Sequence, residues 1–417
     1  MEGILQDPLE RGRPGRAAGT RVLHVGKYFP PFPGGLESLH ADLCAALQHC
    51  GVATLSLVHD HARGGATRQE WIDRGGETLR VVRARTHGSL LFAPVSPGFP
   101  LDLRRAIRDF RPQVIHAHLP NLSAFWLLVT PAARRLPWVL HWHADVVPSS
   151  IATRLRWAYR LYRPFESALL ARAKRVIVTS PPYLASSAPL VPWRDKCVVV
   201  PPGIDLRRLP PPTEANRQAA EQLWGVGAHR VLTIGRLTYY KGHRILLQAA
   251  ARLPGARFLL VGTGDLEAGL RSDIQRLGLS ASVQLLGQQS DAMLLALLDT
   301  CSCLCLPSLE RTEAFGLVLL EAMRYAKPAV VTDVKGSGMG WVVRHGETGL
   351  VVRAGDPQAL SDALAALLSD DYRRCAMGKA ARARLDADFR IETQAQAIAE
   401  VYAAVCTPGD APPDGNR

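Results

Sequence analysis

Short apolar runs rich in β-branched residues alternate along this chain with stretches whose apolar positions recur at helical spacing. In the first half the runs are RVLHV, ATLSLV, LRVVRA, QVIHAH, WVLHWH, RVIVTS and KCVVVPP. Helical patterns such as LESLHADLCAALQHC and TRLRWAYRLYRPFESALLARA lie between several of them. After the proline-rich stretch PPGIDLRRLPPPTEAN the alternation restarts with HRVLTIG, ARFLLVG, ASVQLLG, SCLCLP and PAVVTD. Near-continuous apolar strands separated by helices predict parallel sheets covered on both faces. Two such runs predict an α/β chain of two doubly wound, Rossmann-like domains, residues 21–205 and 206–389, facing across a cleft. A helix over 390–406 follows and can return to the first domain, while 1–20 and 407–417 read as a disordered leader and tail. In sheets of this kind ligands sit beyond the carboxyl ends of the strands, here in the cleft.

The length of 417 residues suits two cores rather than one. Apolar residues make up 47% and charged ones 21%, a globular balance, and no apolar run reaches the ~18 residues of a membrane span. Eight cysteines in a long chain whose start lacks a secretory pattern point to a reducing, cytoplasmic compartment. Cys301, Cys303 and Cys305 alternate in CSCLCLP, which on a strand puts all three on one face as small core residues. The net charge of +13 is uneven: residues 1–205 carry 26 Lys and Arg against 15 Asp and Glu, residues 206–417 carry 24 against 22. A surplus confined to one half suggests that this half faces an anionic partner, nucleic acid or phospholipid. No helix-turn-helix, RRM or zinc-finger pattern supports nucleic acid.

Chemistry concentrates in LCLPSLERTEAFGLVLLEAM. It reads as a strand, a turn, and a helix starting near Phe315 or Gly316. A helix start offers unpaired N–H groups and about half a positive charge, suited to phosphate. Glu313 and Glu321 stand eight positions apart, ~12 Å if helical. Carboxylates so placed can bind hydroxyls on either side of a diphosphate, which describes a nucleotide sugar. In LTIGRLTYYKGH a strand ends at Gly235, and Arg236 and Lys241 follow in a short loop. Two cations at a strand's carboxyl end can clamp a diphosphate and stabilise the charge of a departing nucleotide.

Two HxH pairs, His116/His118 and His141/His143, end predicted strands, each pair on one face. A packed polar role outweighs metal ligation there. The one DxD, Asp386 with Asp388, lies in a helical stretch, and LVGTGD lacks the third glycine of a dinucleotide fingerprint. Residues 153–175 interleave Arg154, Arg156, Arg160, Arg163, Arg172, Lys174 and Arg175 with Trp157, Tyr159, Tyr162 and Phe165. That mixture suits an anionic membrane surface, and equally a helix with buried aromatics and solvated arginines.

GRLTYYKG, LVGTGD, PSLERTEAFGLVLLEAM and GETGLVVRAGDPQAL resemble the retaining glycosyltransferases of family 4, which have the GT-B fold. FPPFPGGLESL and VPPGID extend the resemblance over roughly residues 21–406. The resemblance implies that Glu313 contacts the donor sugar and Glu321 the ribose. It implies that amides at Phe315, Gly316 and Leu317 hold phosphate, with Arg236 and Lys241 on the diphosphate. Gly34 and Gly35 form the loop facing the donor's phosphates, and His143 approaches the reacting sugar, with Asp145 beside it a weaker candidate. No cofactor and no metal are implied. HWHAD and GSGMGWVVRHGETG resemble bacterial lipopolysaccharide and capsule mannosyl- or rhamnosyltransferases. This implies a hexose, mannose from a GDP-sugar, moved to a polyprenyl-diphosphate-linked glycan at the inner face of the cell membrane. A UDP-sugar with a soluble acceptor is the alternative.

Overall fold

In the computed structural model, which describes residues 19–62, 65–90, 93–146, 153–225, 227 and 229–406, the apolar runs form two sheets. The sequence positions read as leader and tail lie almost wholly outside the described residues. The first sheet has eight strands: β1 (Arg21–Val25), β2 (Ala53–His59), β3 (Arg68–Arg74), β4 (Glu77–Ala84), β5 (Val114–Leu119), β6 (Trp138–Trp142), β7 (Arg175–Val178) and β8 (Cys197–Val199). Their order is β8-β7-β6-β5-β1-β2-β4-β3, parallel except for β3 against β4. The second has six: β9 (His229–Ile234), β10 (Ala256–Val261), β11 (Val283–Gly287), β12 (Cys303–Leu306), β13 (Ala329–Thr332) and β14 (Gly349–Val352), all parallel in the order β11-β10-β9-β12-β13-β14. In each sheet the chain leaves its first strand in one direction and later returns to build the other. The reversal opens a crevice between β1 and β5, and another between β9 and β12, where ligands of such sheets bind.

Three strand readings need correction, the first being the edge strand β14, GLVV, which is absent from the runs read as strands above. The edge strand β3, RQEWIDR, has no apolar run, so periodicity missed it; one face is exposed and its charges discourage pairing with another chain. Cys301 precedes β12 and packs in a different apolar cluster from Cys303 and Cys305, so the three cysteines do not share a face. All three are buried and free.

The helices that matter for the site are α1 (Gly35–His49), α2 (Thr153–Arg172), α3 (His243–Ala250), α4 (Leu317–Arg324) and α5 (Ile391–Cys406). Asp386 and Asp388 lie in the helix before α5 and pair with Arg382 and Arg384, an i,i+4 brace and not a metal site. Helix α5 crosses back to the first sheet. Its Ile391, Ala395, Ile398 and Tyr402 share one apolar cluster with Leu39 and Leu43 of α1 and with Val22, Val114 and Val139 of the sheet. Among the described residues no helix is long and apolar enough to cross a membrane.

Candidate active site at the cleft

The loops after β9 and β12 are stitched together before any side chain is considered. The Leu309 N–H donates to the Tyr240 carbonyl at 2.7 Å. Gly242, with φ of 70°, packs against the Pro307 carbonyl oxygen, which a Cβ there would strike. The Thr332 hydroxyl donates to the Ser308 carbonyl, tying the same loop to β13. Held this way, the Lys241 ammonium forms an ion pair with the Glu313 carboxylate, the two side chains being only 12% and 11% exposed.

Helix α4 begins where the sequence places it, with Gly316 as its N-cap at φ 79°, a left-handed conformation that favours glycine. Leu319, Leu320 and Met323 turn its apolar face into the core, each contributing about 1.5–3 kcal/mol of burial. The buried ring of Phe315 packs against Trp341 and Phe389, which fixes the approach to the helix. Glu313 sits in the preceding loop and not on a helical turn. Its separation from Glu321 therefore does not follow the 1.5 Å rise assumed from the sequence, because the chain must turn from strand into helix.

Glu321 faces Arg208, Asp42 and Asp291. Burial first, then the two aspartates, raise its carboxyl to about 7 against the opposing pull of Arg208. Asp42 itself pairs with Arg74 and with Arg208, so charges from both domains meet here.

Across the cleft Gly34 caps α1 in an extended conformation, and Gly35 opens the helix. A Cβ on Gly35 would stand 3.1 Å from the Leu317 side chain, so the starts of α1 and α4 face one another. Two residues that the sequence reading passed over join them. Lys27, in the loop after β1, and Glu37, in the first turn of α1, are electrostatically coupled to each other and to Arg236. Burial, with Arg236 adding, pushes the Lys27 ammonium down while Glu37 opposes. Burial pushes Glu37 up against its own backbone N–H, Lys27 and Arg236. The signal available in the sequence was Lys27's position just past a strand end, which no spacing singled out. Arg236 is exposed, with its guanidinium donating to the Tyr240 hydroxyl at 3.1 Å. Its backbone carbonyl is 3.1 Å from Nε2 of His243, a buried ring whose pKa desolvation lowers to about 4.

His143 follows β6. Its ring is buried, its Nε2 is 3.0 Å from His118 Nδ1, and burial lowers its pKa to about 4. Its ring neighbours are histidines of the same sheet, not Glu313 or Lys241. Asp145 is committed elsewhere: it accepts from Trp142 Nε1 and Ser187 Oγ, each at 2.7 Å, and pairs with Arg311 of the second domain at 3.0 Å. It fastens the domains to each other and is withdrawn as a site candidate.

The structure thus brings Lys241 to Glu313, Gly35 to Leu317 and Arg236 to Lys27, while Glu321 and His143 stand with other partners. Both helix starts and three cations converge on one cleft, an arrangement suited to a diphosphate with its sugar near Glu313. A separate concavity of about 300 Å³, lined in part by Arg230, Lys327 and Arg374, opens at the amino ends of β9, β12 and β13, the end that ligands of such sheets do not use.

A family model described as glycosyl transferases group 1 matches residues 215–384, and one described as a glycosyl transferase 4-like domain matches 34–203. The D-rhamnosyltransferase WbpZ of Pseudomonas aeruginosa is 32% identical over 376 residues, spanning 87% of this chain and 91% of that protein. The O-antigen chain mannosyltransferase C of Escherichia coli is 29% identical over 391 residues, 92% and 98% of the two chains. Among solved structures, sucrose-phosphate synthase from Thermosynechococcus elongatus superposes with a TM-score of 0.77 at 23% identity, covering 93% of this chain and 99% of its own. HepE from Anabaena, solved with UDP and glucose, has a TM-score of 0.72 at 22% identity, covering 92% and 100%.

Proposed function

Since the chain belongs to the group 1 glycosyltransferases, a hexosyltransferase with the GT-B fold, we propose that it transfers mannose or a related hexose from a GDP-sugar, with retention at the anomeric carbon. The acceptor in this reading is a polyprenyl-diphosphate-linked glycan, and the product a bacterial surface polysaccharide. The relatives named as an O-antigen mannosyltransferase and a rhamnosyltransferase support that choice of sugar and pathway class. The observation that carries the reading is the Lys241–Glu313 ion pair at the start of α4, facing the start of α1.

In the proposed reaction the bond between the anomeric carbon and the diphosphate oxygen breaks, its electron pair leaving with the nucleotide. The acceptor oxygen bonds to the same carbon from the same face, and its proton passes to the departing phosphate. Negative charge grows on the diphosphate, so Lys241, Arg236 and the amides of Phe315, Gly316 and Leu317 stabilise the transition state more than the ground state. Lys27 adds a third cation from the first domain. Gly34 and Gly35 bring the start of α1 up to the phosphates, and Glu321 receives the ribose hydroxyls. Glu313, released from Lys241 once the diphosphate takes that cation, binds sugar hydroxyls. His143, neutral at pH 7, hydrogen-bonds the reacting sugar through its free ring nitrogen. The cations supply the charge that a divalent ion would, so the transfer is proposed to need none.

We also propose attachment to the inner face of the membrane through the first domain. Leu161 and Phe165 of α2 are 76% and 52% exposed, and Val129 is 65% exposed. Phe125 packs against Tyr162 and Phe165, joining the short helical turns at 122–129 to α2. Arg163 is exposed beside them. Arg172 instead packs over Trp138 and donates to backbone carbonyls, so it does not count towards this surface. The side chains of Arg154, Arg156 and Trp157 lie outside the described residues.

A panel of nucleotide sugars assayed for donor hydrolysis and for transfer tests the reading. Turnover of a GDP-hexose with a retained anomeric configuration in the product is expected. Turnover confined to UDP-sugars, or an inverted product, overturns the donor or the stereochemistry.

A further inference from the structure

Six histidines pack into one layer on a single face of the first sheet. His24 on β1, His116 and His118 on β5, and His141 with His143 on and just after β6 come from three adjacent strands, in register as His24–His116 and His118–His141. His40 of α1 covers them, its ring centroid 4.1 Å from that of His118. Val22, Val114, Val139 and Ile177 lie on the same face and border the layer with apolar side chains. His118 and His143, 8% and 6% exposed, form its edge towards the carboxyl ends of the strands, and the other four are 0–3% exposed.

Hydrogen bonding within the layer does not close. His24 Nδ1, His118 Nε2, His118 Nδ1 and His143 Nε2 make one chain, with contacts of 3.1 and 3.0 Å. Three neutral imidazoles carry three protons, and the two bonds use two of them. Whichever way the chain runs, one end presents a bare N–H and the other a bare lone pair. Those ends, His24 Nε2 and His143 Nδ1, are buried without partners. His141 Nδ1 is 3.2 Å from His116 Nε2, and His116 Nδ1 bonds to Tyr402 of α5, which leaves His141 Nε2 buried and unpartnered too. Burial holds these rings neutral, in the state that ligates metal. Buried polar nitrogens left open in this number call for an explanation.

We propose that His118, His141 and His143 form a transition-metal site, zinc being the ion that best suits three imidazoles. One ring nitrogen from each lies within 4.8 Å of the others. A tetrahedral ion with bonds of about 2.0–2.1 Å would draw these atoms closer together and replace the bond between His118 Nδ1 and His143 Nε2. Each of two ligands already has an outer partner that orients it: His116 behind His141, and His24 behind His118. Although buried, His118 and His143 lie at the layer's edge towards the carboxyl ends of the strands, the side from which an ion would enter, with water as its fourth ligand. A set without oxygen ligands favours zinc, copper or nickel over magnesium or calcium. Among the described residues no carboxylate pairs with any of the six rings. Bound metal would hold the His143 ring in place of its contact with the donor sugar, so zinc inhibits transfer; this last step rests on the proposed role of His143.

The test uses the tag-free full chain, stripped with chelator, titrated with Co²⁺ by absorption and with Zn²⁺ by calorimetry. One equivalent with an intense tetrahedral Co²⁺ spectrum is expected, displaced by Zn²⁺ and not by Mg²⁺. His141→Gln loses this uptake, keeps its zinc-free turnover and escapes zinc inhibition, while His61→Gln, at an exposed position, behaves as wild type. Absence of stoichiometric uptake, a weak octahedral spectrum in the wild-type protein, or equal uptake by His141→Gln overturns the site; the wild-type spectrum decides even if the variant fails to fold. Uptake by His143→Gln equal to that of the wild type overturns the three-histidine site, whereas uptake without inhibition in an active transferase leaves the site standing and removes the proposed role of His143 at the donor sugar. A chain that turns over no nucleotide sugar refutes the proposed transfer, yet the metal titration still reads out the site.

Discussion

Gly242 lies so close to the Pro307 carbonyl that the loops carrying Lys241 and Glu313 behave as one unit. An alanine at 242 must resolve both this collision and a φ of 70°. Gly278 has nearly the same dihedral, +69°, with nothing nearby for a Cβ to meet. Gly278→Ala is therefore expected to lose about 1 kcal/mol of stability and no activity. Gly242→Ala should lose more stability and at least about tenfold in kcat, since a displacement of an ångström at a reacting group is costly. Denaturant melts and steady-state kinetics of the two variants check this.

Glu313 and Glu321 should fail differently. Glu313→Ala removes a sugar contact and the partner of Lys241, so kcat is expected to fall about a hundredfold with any accepted donor. Glu321→Ala should chiefly raise the donor KM, with kcat little changed. Near-wild-type turnover by Glu313→Ala would end its catalytic assignment.

The raised pKa of Glu321 has a signed consequence for stability. Its value of about 7 in the folded protein lies above the ordinary 4.5. Between those values the folded chain holds a proton that the unfolded chain has released, so this group's contribution is full below pH 4.5 and is lost as pH rises through 7. Glu321→Gln cannot ionise. Its stability relative to wild type should therefore improve steadily across that window, as urea denaturation at a series of pH values would show. A pH-independent difference would mean that the carboxyl is not held protonated.

Transfer is expected to persist in excess chelator and to gain nothing from magnesium or manganese. Loss of activity in chelator that either ion restores would assign to a metal the charge now given to Lys241, Arg236 and Lys27.

Vesicles of anionic lipid should co-sediment with the protein at low salt and release it at high salt, while neutral vesicles bind little. Arg163→Glu is expected to weaken binding several-fold, given about 1 kcal/mol per basic residue at an anionic surface. Leu161→Asp with Phe165→Asp should weaken it further by removing the apolar contribution. Equal, negligible binding to both lipids at low salt would leave this patch without a membrane role.

Local signals told much of this in advance, and what they missed was long-range. Apolar runs marked the parallel strands because strands buried on both faces must be continuously apolar. Glycines and charges clustered after β9 and β12 marked the loops at the crevice, since ligand approach demands them there. The charged edge strand β3 carried no such signal. Neither did Lys27 and Glu37, which acquire meaning only when Arg236 is brought opposite them from the other domain. Asp145 looked like a site residue by its nearness to His143; only the fold reveals its commitment to Arg311. The histidine layer was half visible as two HxH pairs, but strand register was needed to add His24 and a helix packing to add His40.

The return of α5 to the first sheet gives the chain a second crossing between its halves, and the two crossings touch. Ile204 pairs with Arg390 as an isolated parallel bridge, the Ile204 N–H donates to the Phe389 carbonyl at 2.9 Å, and the Ile391 N–H donates back to the Ile204 carbonyl at 3.2 Å. The two crossings are thus bonded to each other as well as to the halves they join. The same arrangement makes the first half discontinuous in sequence. A fragment cut at the linker would lack Ile391, Ile398 and Tyr402 and would bare the α1 face that they cover, so the halves are parts of one mechanical object and not separable modules.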